Sequence, residues 1–330
     1  DKPQKKKKEG PRARTPAPGA LCVFCGAPAG KNSWKRRAPR GIMRQTYFSG
    51  KRLMETIQTN DPRIELAYDR SGQRIMKCLL IDLDGTLYRG ESPIPQAKGF
   101  MESVQKAGVP FVLLTNCPLH SPQELSEKLR RMDICVPAER ILTSGSVCAQ
   151  YLGVHFPGKS VLAVGSDSFS ALLADQGLKL WRQGEEDPAA VAVGYSTQLD
   201  YDELCWATHY LRQGKPFLAT NGDAVIPSGN RLVPHTGAVV EYLKTASGQT
   251  PLVIGKPYAF MLEAALQKLS CRKEDCLVLG DGLETDFAFA VRNGLDYRIL
   301  LSGVTTREAA LQRGVPAEKL CENLLEVTMA

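Results

Sequence analysis

The 330-residue sequence predicts an α/β fold: a parallel sheet with helices on both faces. From residue 78 onward, short apolar runs of strand character alternate with stretches of helical periodicity. Four of those runs also end in polar, chemistry-bearing residues, as strands do at the ligand-binding edge of an open parallel sheet. The composition, 43% apolar and 23% charged, is that of an ordinary globular chain, long enough for one large or two modest domains.

The elements follow in order. Residues 78–83 form the first strand, and a helix follows near 96–107. "VPFVLLTN" is a strand ending at Thr115. Helix 121–132 takes Ser121 as its N-cap and Pro122 at its first position, where a missing N–H costs nothing. A short strand at 140–143 leads into a helix through 152. "KSVLAVG" and "AAVAVGY" are strands that bracket a helix and a loop. Helix 200–213, short strands around 216–233 and helix 237–247 complete a middle block. The last third restarts the pattern with strands 252–254, 276–279 and 297–301 and helices 257–269, 284–293 and 306–313.

The charge is unevenly distributed. The net charge is +7, yet residues 1–54 carry 15 Lys/Arg against 2 Asp/Glu, while the remainder carries 27 against 33. The basic character therefore belongs to a head segment, and nucleic-acid binding is not expected of the folded body. The head has Pro, Gly and Lys/Arg but no apolar period, so residues 1–75 read as a disordered or extraneous extension. Met76 is a candidate natural start. Cys22 and Cys25 are one C-x-x-C pair with no second pair at zinc-ribbon spacing. Ten cysteines scattered along the chain resemble no secreted disulfide framework. With no apolar run approaching the roughly eighteen residues of a membrane span and no secretory leader, the expectation is a cytoplasmic protein. The basic head leaves organellar import open.

"CLLIDLDGTLYRG" carries the chemistry. Alternation along a strand places Asp82 and Asp84 on one face and Leu83 on the other. Gly85 then permits a tight turn. Two carboxylates this close ionise together only with a cation between them. An Asp-Gly surface turn would explain Asp84-Gly85 but not Asp82 directly after Leu79, Leu80 and Ile81. The other polar strand ends are Thr115-Asn116, Lys256 after "LVIG", and Asp281 with Asp286 after "CLVLG". Singly, each is as well explained by a turn or a helix cap. Together they supply what a phosphate ester with a bound divalent cation needs: hard oxygen ligands for magnesium, a hydroxyl, an amide and an ammonium, of which Thr115 and Lys256 can hold the phosphoryl oxygens.

These motifs resemble those of haloacid dehalogenase superfamily phosphatases. Asp82 to Thr86 matches the Asp-x-Asp-Gly-Thr motif, and "LLTN" matches the strand ending in Thr or Ser. "GKP" supplies the lysine, and "GDGLETD" the last pair of acids. Only 33 residues separate Asp82 from Thr115, whereas 141 separate Thr115 from Lys256, room for an α/β cap between the second and third motifs. That spacing resembles subfamily IIA, which includes p-nitrophenyl-, nucleotide-, phosphoglycolate- and pyridoxal-phosphate phosphatases. The similarity covers roughly residues 76–320.

The resemblance implies a Rossmann-like core in two parts, 76–157 and 251–330, around an inserted C2-type α/β cap at 158–250. It implies magnesium-dependent hydrolysis of small phosphomonoesters through an aspartyl-phosphate on Asp82, with Asp84 as acid and base and Lys256 as the neutralising cation. Thr115 and Asn116 would bind phosphate. Asp82, the backbone carbonyl of Asp84, Asp281 and Asp286 would hold the metal. Asn221, Asp223, His235 and Thr236 are cap candidates for substrate recognition, and a homodimer through the cap is compatible with the pattern. Cys117-Pro118 stands where members have a second Asn, and His235 where they have Gly. A phosphotransferase or mutase shares this core. A true dehalogenase would need neither Asp84 nor Asp281, and a non-catalytic phosphate-binding protein would not need every acid intact.

Overall fold

The structure, a computed structural model, describes residues 78–228 and 231–327. The expectations for residues 1–75 and for the Cys22/Cys25 pair lie outside the described residues.

The first half of the main sheet comprises β1 (Cys78–Asp82), β4 (Phe111–Thr115) and β5 (Ile141–Thr143), with the small hairpin β2 (Tyr88–Arg89) and β3 (Ser92–Pro93) between β1 and β4. Helices α1 (Ala97–Lys106), α2 (Pro122–Arg131) and α3 (Ser144–His155) follow β3, β4 and β5 respectively. A second sheet is then inserted, built from β6 (Ser160–Val164), β7 (Lys179–Leu180), β8 (Ala190–Val193), β9 (Phe217–Ala219) and, after the hairpin β10 (Val225–Ser228) and β11 (Arg231–Pro234), β12 (Leu252–Val253). Its helices are α4 (Asp167–Asp175), α5 (Tyr201–Arg212) and α6 (Thr236–Ser247). The chain returns to the main sheet with α7 (Phe260–Leu269), β13 (Cys276–Gly280), α8 (Ala288–Asn293), β14 (Asp296–Leu300), α9 (Arg307–Gln312) and β15 (Leu320–Cys321).

The main sheet has the order β15-β14-β13-β1-β4-β5 and the inserted sheet β12-β9-β8-β6-β7. Every pairing in both is parallel. Burial explains why apolar runs make these strands: β1, β4 and β13 are covered on both faces, as parallel strands flanked by helices are. Leu79, Ile81, Leu113 and Leu279 pack toward Phe100, Met101, Leu125 and Leu129 of α1 and α2. Leu80, Leu114 and Val278 pack the other way, with Val147, Met261 and Phe289 of α3, α7 and α8. Each fully buried side chain of this size contributes about 1.5–3 kcal/mol. In the inserted sheet Val164, Val191 and Val193 meet Ala207, Leu211, Val240 and Leu243 of α5 and α6.

α2 begins as expected. Ser121 caps it in a reciprocal capping box with Glu124, and Pro122 occupies its first position. Two departures concern the site. The strand expected to restart the main sheet, 252–254, instead forms the edge of the inserted sheet, pairing Leu252 with Leu218 and Val253 with Ala219. The expected helix 284–293 opens with a π-helical turn, Leu283–Phe287, before α8. The two-residue strands β2, β3, β7 and β15 are additions to the expected elements, because so short a segment has no period of its own. Among the described residues no helix is long and apolar enough to cross a membrane.

Candidate active site

β1, β4 and β13 end side by side, in registers Asp82↔Leu114 and Ile81↔Leu279, so the residues just beyond them converge at one edge. Leu83 packs with Leu79 and Ile81, which leaves Asp82 and Asp84 to the opposite face, as strand alternation requires. Asp82 is buried at the last position of β1, whereas Asp84 is exposed and bridges to Tyr88. Gly85 turns the chain with φ 86°, in the left-handed region. A Cβ there would collide with the Asp281 carboxylate, as would one at Gly303, so two glycines make room for one acid.

Lys256 joins the acids. Its Nζ donates to Asp82 Oδ1 and to Asp286 Oδ1, both at 2.6 Å, and to the Leu114 carbonyl at 3.3 Å. Asp82, Asp281 and Asp286 each offer an oxygen within 4.8 Å of the others, and all three are buried. Burial by itself would neutralise Lys256, but the Asp286 and Asp82 carboxylates outweigh it and hold the ammonium above its ordinary range. One ammonium does not balance the charge of three buried acids. Burial raises Asp82 well above the usual carboxylate range against the pull of Lys256, and burial with the charge of Asp286 raises Asp281 to about 7. An all-oxygen donor set with surplus negative charge suits a hard divalent cation such as magnesium, which would relieve that repulsion. The residues fit the metal their pattern implies.

A loop to which sequence reading assigned no role supports this cluster. Asp281 Oδ2 accepts the Val304 N–H at 2.7 Å, its carbonyl accepts the Thr305 hydroxyl, and Ser302 Oγ donates to the Gly85 carbonyl at 3.0 Å. The signal was "LLSGVTT", polar residues directly after a buried strand. The π-helical turn matters here too, because it lets Asp286 Oδ2 accept the Gly282 N–H at 3.0 Å.

The remaining candidates flank the acids. Thr115 Oγ1 accepts the Cys117 N–H at 3.0 Å, which leaves the hydroxyl proton to donate to an anion. Asp84 stands outside the carboxylate trio. Although it reaches solvent, desolvation at the crowded site mouth raises its carboxyl above the ordinary value against the pull of Lys128, the direction a proton donor needs. Asn116 donates to Asp223 Oδ2 at 3.1 Å and to the Lys256 carbonyl at 2.9 Å. Asn221 is fully buried, donates to the Asn116 carbonyl and to Thr236 Oγ1, and accepts the Asp223 N–H in an Asx turn. These polar groups of the inserted segment are therefore joined to one another and to the end of β4. His235 lies against Tyr195, ring centroids 4.4 Å apart, and neither of its buried ring nitrogens makes a hydrogen bond of good geometry.

Comparison with known proteins agrees with this arrangement. The family model described as haloacid dehalogenase-like hydrolase matches residues 79–179, and a second, HAD-hydrolase-like, matches residues 253–327. An acid sugar phosphatase of Staphylococcus aureus is 33% identical over 240 residues, 73% of this chain and 92% of that protein. The 4-nitrophenylphosphatase of Thermotoga maritima superposes with a TM-score of 0.72 at 29% identity, covering 78% of this chain and 97% of that one. The glycerol phosphate phosphatase of Mycobacterium tuberculosis, crystallised with magnesium, gives 0.70 at 30% identity, covering 77% and 76%. With its parallel main sheet, its inserted sheet and its acids gathered at the strand ends, the chain belongs to the haloacid dehalogenase-like hydrolase family, in the phosphatase branch of subfamily IIA.

Proposed function

We propose that the protein is a magnesium-dependent phosphatase of small phosphate monoesters that works through an aspartyl-phosphate on Asp82. The observation that carries this reading is the buried Asp82–Asp281–Asp286 cluster with Lys256 between two of its acids. The relatives named for sugar, glycerol and nitrophenyl phosphates support small esters as the substrate class.

Asp82, the Asp84 carbonyl, Asp281 and Asp286 would hold the cation, which when bound supplies charge neutralisation for the phosphoryl oxygens. Lys256 engages Asp82 Oδ1 and so leaves Oδ2 to attack phosphorus. The Asp82 side chain keeps 11% of its surface open. As the new P–O bond forms, the bond to the leaving oxygen breaks, and Asp84 gives that oxygen its proton. Asp84 then takes a proton from water, the water oxygen attacks phosphorus, and the Asp82 carboxylate departs to leave inorganic phosphate. Thr115 donates its hydroxyl to the phosphoryl group. Asp223 and His235 would read the rest of the ester from the inserted segment, while Asn221 and Thr236 would shape that loop.

Hydrolysis of p-nitrophenyl phosphate and of sugar and glycerol phosphates, with and without a chelator, tests the class. Activity should vanish on chelation and return with magnesium, and Asp82→Asn should lose several orders of magnitude, the scale of deleting other covalent nucleophiles. Asp84→Asn should slow alkyl esters by about 10²–10⁴ but p-nitrophenyl phosphate less, since nitrophenolate needs no proton. Chelator-resistant turnover, or phosphoenzyme formed by Asp82→Asn, would overturn the reading.

A further inference from the structure

We infer that Asn116 is a positioning residue that couples Lys256 to the inserted sheet, rather than a side chain that binds phosphate. This rests on the reading of Lys256 as the cation beside the nucleophile.

The path of the backbone makes the case. β12 pairs with β9, and the pairing runs on as Ile254 N–H donates to the Ala219 carbonyl at 2.9 Å and Gly255 N–H to the Thr220 carbonyl at 2.7 Å. The next residue is Lys256. Its main chain thus hangs from the edge of the inserted sheet while its ammonium sits among the acids of the main sheet. Any slide of one sheet against the other would move that ammonium.

Asn116 holds the junction. Its Oδ1 accepts the Lys256 N–H at 2.7 Å and its Nδ2 donates to the Lys256 carbonyl at 2.9 Å, so one side-chain amide pairs with the lysine backbone as a neighbouring strand would. The same Nδ2 donates to Asp223 Oδ2 at 3.1 Å. An amide has two N–H bonds and one carbonyl, so this set leaves no donor for a substrate oxygen. The Asn116 backbone carbonyl is pinned as well, accepting Ser144 Oγ at 2.5 Å and Asn221 Nδ2 at 2.8 Å. Gly255 lies so close that a Cβ there would stand 2.7 Å from Asn116 Oδ1 and 2.6 Å from the Thr220 carbonyl. The residue is buried, so water cannot replace these bonds without moving the chain.

Aspartate at this position would keep the acceptor for the Lys256 N–H, lose both donors and set a second carboxylate against Asp223. The Asn116→Asp, Asp223→Asn and double variants therefore test the coupling. Asn116→Asp should lower kcat by about 10²-fold, as a misplaced catalytic geometry does, with KM and the inhibition constant of inorganic phosphate within about threefold. The double variant exchanges the two groups, so the amide introduced at 223 can donate to the carboxylate introduced at 116, and about tenfold of that kcat should return. A proportionate rise in KM and in the phosphate constant at unchanged kcat would overturn the proposal in favour of direct phosphate contact. So would the absence of any recovery. Urea unfolding of the same four proteins gives a readout independent of turnover: the midpoint lost on Asn116→Asp should be smaller when position 223 already carries the amide, and strict additivity would overturn the proposal. If the unsubstituted protein hydrolyses no ester, the phosphatase reading fails while this cycle still measures the joint. Should Asn116→Asp not fold, Asn116→Ser takes its place, with the same kcat-over-KM signature expected.

Discussion

His235 shows how a single side chain can be misplaced in energy yet kept. Its ring is buried against Tyr195, where desolvation penalises the charged imidazolium. Burial drives its pKa down to about 4, weakly opposed by the Asp223 backbone, so the ring is neutral near pH 7. The unfolded chain, with a histidine near 6.5, binds more protons between pH 6.5 and 4. Stability from this residue is therefore intact above pH 6.5 and is lost as the pH falls toward 4, by about 2.5 kcal/mol between pH 7.5 and 4.5. His235→Gln should flatten the acid limb of the stability–pH curve by that amount in denaturant unfolding, and an unchanged slope would show that the ring is not the titrating group. Because the ring borders Asp223, His235→Gly should also shift relative kcat/KM among phosphate esters without changing the magnesium requirement. Gly303 acts by what it lacks. Gly303→Ala would push against Asp281 and should raise the magnesium concentration for half-maximal activity about tenfold, the lower end for losing a residue that supports a metal ligand. An unaltered magnesium titration would mean that the loop yields.

At the scale of elements, local signals and packing play separable parts. α2 carries its own instructions: Ser121, Pro122 and Glu124 satisfy the first turn whatever surrounds it. Ser121→Ala should cost about 1 kcal/mol, visible as a Tm lower by roughly 2–4 °C, with kcat/KM unchanged. A larger loss would mean that α2 also depends on the link from Glu124 to Ser168 of α4. The turn Leu283–Phe287 is the opposite case. "LETDF" reads as ordinary helix, whereas the structure shows a widened turn in which Asp286 meets both Lys256 and the Gly282 N–H. β12 departs from its expected sheet for a related reason. Its two residues have no period that distinguishes one parallel sheet from another, and hydrogen bonding to β9 decided the matter.

For the whole molecule, the candidate site residues among the described residues lie between Asp82 and Thr305, and the family matches begin at residue 79. A chain beginning at Met76 should keep its Tm within about 2 °C, a shift worth no more than about 1 kcal/mol, and its kcat/KM within about twofold. Insolubility or a large loss of turnover would give the basic head a part in the fold. The two sheets also divide the labour. The main sheet supplies the acids at its strand ends, and the inserted sheet supplies the backbone of Lys256 and the polar loop around Asp223 and His235.

The sequence by itself determined the parallel α/β class, the acids at the strand ends and the room for an insertion. Strand burial, helix caps and motif spacing are local properties that a linear text records: Asp82, Asp84 and Gly85 were legible because alternation and a turn act within five residues. Tertiary structure decided what each of those groups could touch. That Asn116 uses up its amide on Lys256, 140 residues away, and on Asp223, 107 away, follows from two sheets meeting, and no local pattern encodes it. The same holds for Gly303 and the loop to Thr305, whose value lies wholly in Asp281 on a neighbouring strand. The family resemblance assigned Asn116 to phosphate. Satisfying every donor and acceptor in a buried junction assigns it to the protein.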